Sequence, residues 1–232
     1  VVYITPGIIS ETDKLKRLAE VICYGTGIFL YNVQADLSNL TLRSNVKGLM
    51  ANGTGCNVTI RNMLAERHST NPLLKDLVIC RDYSFSNGLG CIEAANGARL
   101  QLQGIKIQDN DFCGLSVRDG ARVSAYDFVV LRSNKVLCSG NKEHGGISVS
   151  VRGGGAWLEL DQFELGHSLI GLQLVNATAR CSNGKIQHNI IGIHLKDTPT
   201  GFNLADLQNN VLFLDNQRKL DAATVPVPGT GL

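Results

Sequence analysis

The 232 residues carry 22 Lys and Arg against 20 Asp and Glu, a formal charge of +2, and 44% of them are hydrophobic. Such a balance excludes the basic face of a duplex nucleic-acid binder and the composition of a disordered charged tail. No apolar run approaches the roughly 20 residues of a membrane span. With 25 Gly, 5 Pro and 6% aromatics, the chain favours a β-rich fold with tight turns and few stacking platforms.

In chain order, Val1 to Ile4 lack the charged and apolar regions of a signal peptide. Residues 10–23 (SETDKLKRLAEVIC) predict one helix, with Ser10 as N-cap, Asp13 as the capping-box acid, and Leu15, Leu18, Ala19 and Ile22 on one face. Its expected role is to cap the first repeat. Residues 1–24 therefore form an N-terminal strand and capping helix, 25–216 the repeats, and 217–232 an extended, Pro-spaced tail.

The repeats begin with Gly and an apolar alternation: GIFL at Gly27, GLMA at Gly48, GCIE at Gly90, GLSV at Gly114, GISV at Gly146, GLQL at Gly171 and GIHL at Gly192. Two of the spacings are lengthened by insertions, Leu64–Asp76 and Ser139–His144; without them the period is 21 to 29 residues. A second strand ends in a polar turn, as in IKIQDN at Asn110 or GKIQHN at Asn189. A third lies between, as in ARLQLQ (98–103). Each repeat thus holds three short strands with period-2 alternation.

A unit this short buries its apolar face only by stacking on its neighbours. The residues after each glycine then form an interior ladder: Ile28, Leu49, Cys91, Leu115, Ile147, Leu172 and Ile193. Two places on, Glu93 alone is not apolar, so a bulge or shifted register is expected there. Asn45, Asn110, Asn134 and Asn189 predict a stacked amide ladder at one turn.

The segment GARLQLQGIKIQDNDFCGLSVRDGARV and its equivalents resemble the right-handed parallel β-helix of the pectate-lyase-like superfamily, above all its large secreted bacterial repeat proteins. The resemblance spans residues 25 to 216. It implies an all-β solenoid of about seven to eight coils, three strands each, capped by the N-terminal helix. The polygalacturonase-like motifs N-T-D, D-D, G-H-G and R-I-K are absent; Gly166-His167-Ser168 and Lys185-Ile186 match only in part. Asp109, Asp111, Asp119 and Asp127 lie within two coils and read as solvated turn residues more readily than as a Ca²⁺ cluster.

Loops carry function more readily than scaffold, so the binding candidates are Glu66, Arg67 and His68 in the first insertion and Lys142, Glu143 and His144 in the second. Arg43, Arg61 and Arg132 read as an outward polar stripe. His167 and His188, 21 residues apart in equivalent places, should stack within about 5 Å. They are weak metal candidates without a third ligand, and no metal or other cofactor is expected.

None of the seven cysteines forms C-x-x-C, so the choice is between disulfides and buried thiols. Cys113 and Cys138 follow equivalent turns of adjacent coils and are the expected bridge. The leading reading is a non-catalytic extracellular structural or adhesive module without catalytic residues, its partner a polysaccharide or another surface protein. The rivals are a carbohydrate-active enzyme (lyase, hydrolase or epimerase) and a glycan-binding module. A groove holding at least one Asp/Glu pair plus Arg, Lys or His within hydrogen-bond reach would favour the enzyme.

Overall fold

The computed structural model describes residues 2–4, 26–69, 90–137 and 143–222. The expected helix over 10–23, the body of the first insertion and the far tail lie outside them. The described chain is nearly all parallel strand in two sheets. One sheet is built of short strands, Val2–Ile4, Thr26–Tyr31, Lys47–Asn52, Ile92–Ala95, Cys113–Arg118, Ile147–Arg152, Ile170–Val175, Ile191–Lys196 and Arg218–Asp221, paired in that order. The other is built of the longer strands between them, Gln34–Arg43, Asn57–Glu66, Arg99–Asp111, Arg122–Leu137, Trp157–Gly166, Thr178–Gln187 and Asn209–Leu214. The chain passes from one sheet to the other and back, and each strand pairs in parallel with its equivalent one repeat away. This is an all-β, β-solenoid-like arrangement. Strand Arg218–Asp221 continues it beyond residue 216, where the repeats were expected to end.

The three short strands expected per repeat become two elements. The longer strand bends in its middle without losing its ladder, at Asn39, Asn62, Gly104, Asp127, Gln162, Asn183 and Asn210, all with φ between 52° and 63°. Two further columns of left-handed residues turn the chain between sheets. One is Asn32, Gly53, Asn96, Asp119, Gly153, Asn176 and Asp197; the other is Ser44, Arg67, Asp109, Arg132, His167, His188 and Asp215. Asn, Asp and His tolerate this conformation best among residues with a side chain. Three corners per repeat result from that placement. Asp109, Asp119 and Asp127 stand at three different corners and form no cluster.

The recurrent glycine has a different cause. A Cβ on Gly27, Gly48, Gly114, Gly171 or Gly192 would lie 2.6 to 2.9 Å from a carbonyl oxygen of the next strand. The position therefore demands a minimal side chain. In two repeats Cys91 and Ser148 fill it, not Gly90 and Gly146. The interior ladder is accordingly Ile28, Leu49, Ile92, Leu115, Val149, Leu172 and Ile193, which corrects Cys91 and Ile147.

At Glu93 the register is shifted by one, as anticipated, and the carboxylate is buried all the same. It faces Ser116 and Met50 on the outer side of the short-strand sheet, fully enclosed, and pairs with Lys47 Nζ and with Arg118, whose Nε lies 2.9 Å away. Ser116, Ser150, Gln173 and His194 continue this outer row and are buried too. The short-strand sheet is thus enclosed on both faces. The longer strands keep an accessible outer face.

Candidate functional site

That accessible face carries an open groove of about 650 Å³, ahead of the mid-strand bend. Alternation along each strand aims every second side chain outward. One outward row is Ser38, Arg61, Gln103, Tyr126, Asp161 and Ser182; the next is Asp36, Thr59, Gln101, Ser124, Glu159 and Arg180. Tyr126, at 43% exposure, is the groove's aromatic platform. Half-buried Trp157 lies on the same face, two residues before Glu159.

The charges of the groove are mostly held by neighbours. Arg61 donates to both oxygens of Asp36, at 2.5 and 2.7 Å. Asp161 accepts hydrogen bonds from Asn183 Nδ2 and Ser182 Oγ, both at 2.8 Å. These donors, Asn183 foremost, hold its carboxyl below the usual range. Asp161 is therefore a carboxylate near neutral pH. Glu159 and Asp161 are both only half-buried. Thr59, Gln101, Gln103 and Ser124 add neutral donors and acceptors.

The loop candidates lie elsewhere. Glu66 ends the strand Asn57–Glu66, paired with Arg43 Nε at 2.6 Å and accepting from Gln108 Nε2 at 2.7 Å. The Gln108 bond, with Arg43 and Arg67 nearby, lowers its pKa. Arg67 is a corner residue. His68 follows that strand in the connection beyond it, yet it is 2% exposed and occupies the position of the expected amide ladder. There its Nδ1 lies 3.2 Å from both the backbone N–H and the carbonyl oxygen of Asn45, and its backbone N–H donates to Asn110 Oδ1 at 3.2 Å. Burial lowers the pKa of its imidazole. The rest of the column is Ser133, Ser168, Asn189 and Asn216, so Ser133 stands where Asn134 was expected. Lys142 lies outside the described residues. Glu143 and His144 belong to a short strand, Glu143–Gly145, antiparallel to 135–137. The two triplets form no common site among the described residues.

The arginine stripe dissolves into separate pairs, Arg43 with Glu66, Arg61 with Asp36 and Arg132 with Asp109. His167 and His188 do stack, with ring centroids 4.8 Å apart. As the side chains stand, no three His, Cys, Asp or Glu groups among the described residues gather into a metal-holding cluster.

The expected disulfide is not formed. Cys113 is a free, buried thiol that lies 3.2 Å from the Leu115 carbonyl oxygen, and burial pushes its pKa up to about 12. The reason is register: its partner one repeat on is Ile147, so the thiol is enclosed within the sheet. Cys138 lies outside the described residues. Cys56, Cys91 and Cys181 are likewise free and buried. No helix among the described residues is long and apolar enough to cross a membrane.

The groove was missed because its residues come from strands more than 20 positions apart. The signal was nonetheless present: written in register, Arg61, Gln103, Tyr126 and Asp161 fall into one row. The chain matches no protein-family model, no curated protein and no solved structure.

Proposed function

We propose that this protein is a non-catalytic adhesive module, a right-handed parallel β-helix of the pectate-lyase-like kind, that holds a polysaccharide chain in the groove around Tyr126. The groove carries the reading: an exposed aromatic ring between Gln103 and Asp161 in its row, with the amides and hydroxyls of Thr59, Gln101 and Ser124 alongside. A ring face for the sugar's C–H surface and fixed polar groups for its hydroxyls are what such a ligand requires. The extracellular setting is part of the proposal and rests on the resemblance to secreted repeat proteins; the free thiols lend it nothing.

The test is a glycan array with the whole chain, followed by titration of any retained polysaccharide against Tyr126→Ala. Truncating the platform should weaken binding about 10-fold or more, the scale of a lost aromatic contact. Retention of no glycan, or equal retention by the variant, refutes the reading. The competing reading is a carbohydrate-active enzyme. It is favoured by Glu159 and Asp161, two residues apart on one face of the groove, which Arg61 lines three strands away. Its signature is release of product from a bound polysaccharide, abolished by Glu159→Gln.

A further inference from the structure

The third corner column brings together side chains that the groove does not use. His167, His188 and Asp215 occupy equivalent positions in three successive repeats, with φ of 56°, 53° and 51°. The ladder around them fixes that equivalence: His167 N–H donates to the Gln187 carbonyl at 3.2 Å and His188 N–H to the Leu214 carbonyl at 3.0 Å. Identical backbone geometry sends the three side chains off the corner in the same direction. The two imidazoles stack at 4.8 Å with their planes 22° apart. Asp215 Oδ2 lies 3.8 Å from His188 Nδ1. The sequence offered no third partner for the two histidines; the register supplies one.

We propose that His167, His188 and Asp215 form a surface site for a borderline divalent transition metal, Cu²⁺ foremost. The chemistry is that of the donor set: two neutral imidazole nitrogens and one carboxylate oxygen suit copper and zinc. The geometry is within reach. Two cis ligand atoms on a tetragonal Cu²⁺ stand about 2.8–3.1 Å apart, given metal–nitrogen and metal–oxygen distances of about 2.0–2.2 Å. His188 Nδ1 and Asp215 Oδ2, 3.8 Å apart, need to close by about 1 Å, a small rotation of either exposed side chain. His167 must turn its ring toward the same point. The side chains of His188 and Asp215 are 44% and 76% exposed, so nothing packed has to give way. The column's next member, Arg132, is held by Asp109, which offsets its repulsion of a cation.

The test uses the whole chain and CuCl₂ alone, by isothermal titration and electron paramagnetic resonance near pH 7.5. One Cu²⁺ per chain is expected, with hyperfine structure from two nitrogens. Serine already occupies this corner at residue 44 with φ 53°, so His167→Ser and His188→Ser preserve the backbone. Each should weaken binding at least about 10-fold, and Asp215→Asn should do so by a smaller factor. Circular dichroism checks that the variants stay folded; His167→Gln and His188→Gln replace any that do not. Absence of saturable binding overturns the proposal. So does unchanged copper binding by the double serine variant, which would move the metal to another histidine. An unchanged Asp215→Asn variant overturns the three-ligand site.

Discussion

Gly184→Ala puts the interior register to the test. Gly184 stands one repeat after Phe163 in the row Leu40, Met63, Ile105, Phe128, Phe163, Gly184, Val211. A Cβ there would lie 2.2, 2.3 and 2.6 Å from three atoms of the Phe163 ring. Ordinary carbon contacts are about 3.5–4.0 Å, so the ring must retreat by more than 1 Å. Phe163 is 4% exposed and packed in the core. Overpacking of this kind costs about 1–3 kcal/mol, and a clash with three atoms of a rigid ring belongs at the upper end. For a chain of 232 residues that is a fall of roughly 6–12 °C in melting temperature. Phe163→Leu alone leaves a cavity and is destabilising. In the double variant the alanine methyl occupies space the ring has left, so the two effects should not add. We expect the pair to be at least about 1 kcal/mol more stable than the sum of the singles, measured by thermal circular dichroism on all four proteins. Additive effects, or a Gly184→Ala variant as stable as the parent, would show that the ring does not lie over Gly184.

Glu93→Gln keeps the shape of the side chain but leaves the Lys47 ammonium, 3% exposed, without its carboxylate. Breaking a buried pair from one side costs about 3–5 kcal/mol, so denaturant titration should show a loss of that size; a loss below about 1 kcal/mol would mean the charges are not enclosed. Burial holds the folded pKa of His68 below its ordinary 6.5. As pH falls below 6.5 the unfolded chain takes up a proton that the folded chain refuses, so stability is lost from there down to the folded pKa and is fully present above 6.5. His68→Asn, which places a third asparagine beside Asn45 and Asn110, should flatten that slope in melts between pH 7.5 and 5; an unchanged slope would refute the assignment.

Much of the architecture was legible because its signals are local. Period-2 alternation, a small residue where a carbonyl approaches, and Asn or Asp at left-handed corners recur within each repeat. Glycine proved an imperfect marker. The steric demand is for a small side chain, and Cys91 and Ser148 meet it, so alignment on Gly90 and Gly146 displaced two ladder members. His68 was assigned to a loop because the first insertion was read as starting at Leu64, inside a strand. Glu93 shows a limit of polarity as a guide: its place on the outer side was readable, but its enclosure depends on packing that no short window contains. The groove needed the register of four strands at once. Asp215 was invisible for the same reason, since nothing within its own repeat marks it as the neighbour of His188.

The pairing order has a mechanical consequence. Val2–Ile4 and Arg218–Asp221 are the two edges of the nine-stranded sheet, eight ladder spacings apart, or about 38 Å at 4.8 Å each. A pull between those edges acts along the interstrand hydrogen bonds, and each ladder joins only neighbouring repeats. Tension is therefore carried in series, and the weakest ladder yields first while the others stay closed. The strands Lys47–Asn52 and Ile92–Ala95 share four residue pairs, the latter strand and Cys113–Arg118 three, whereas most internal neighbours share five. Under load the sheet should part at one of its three-pair ladders, at either edge or between Ile92–Ala95 and Cys113–Arg118; only the last has a buried rivet, the Glu93–Arg118 pair, across its seam.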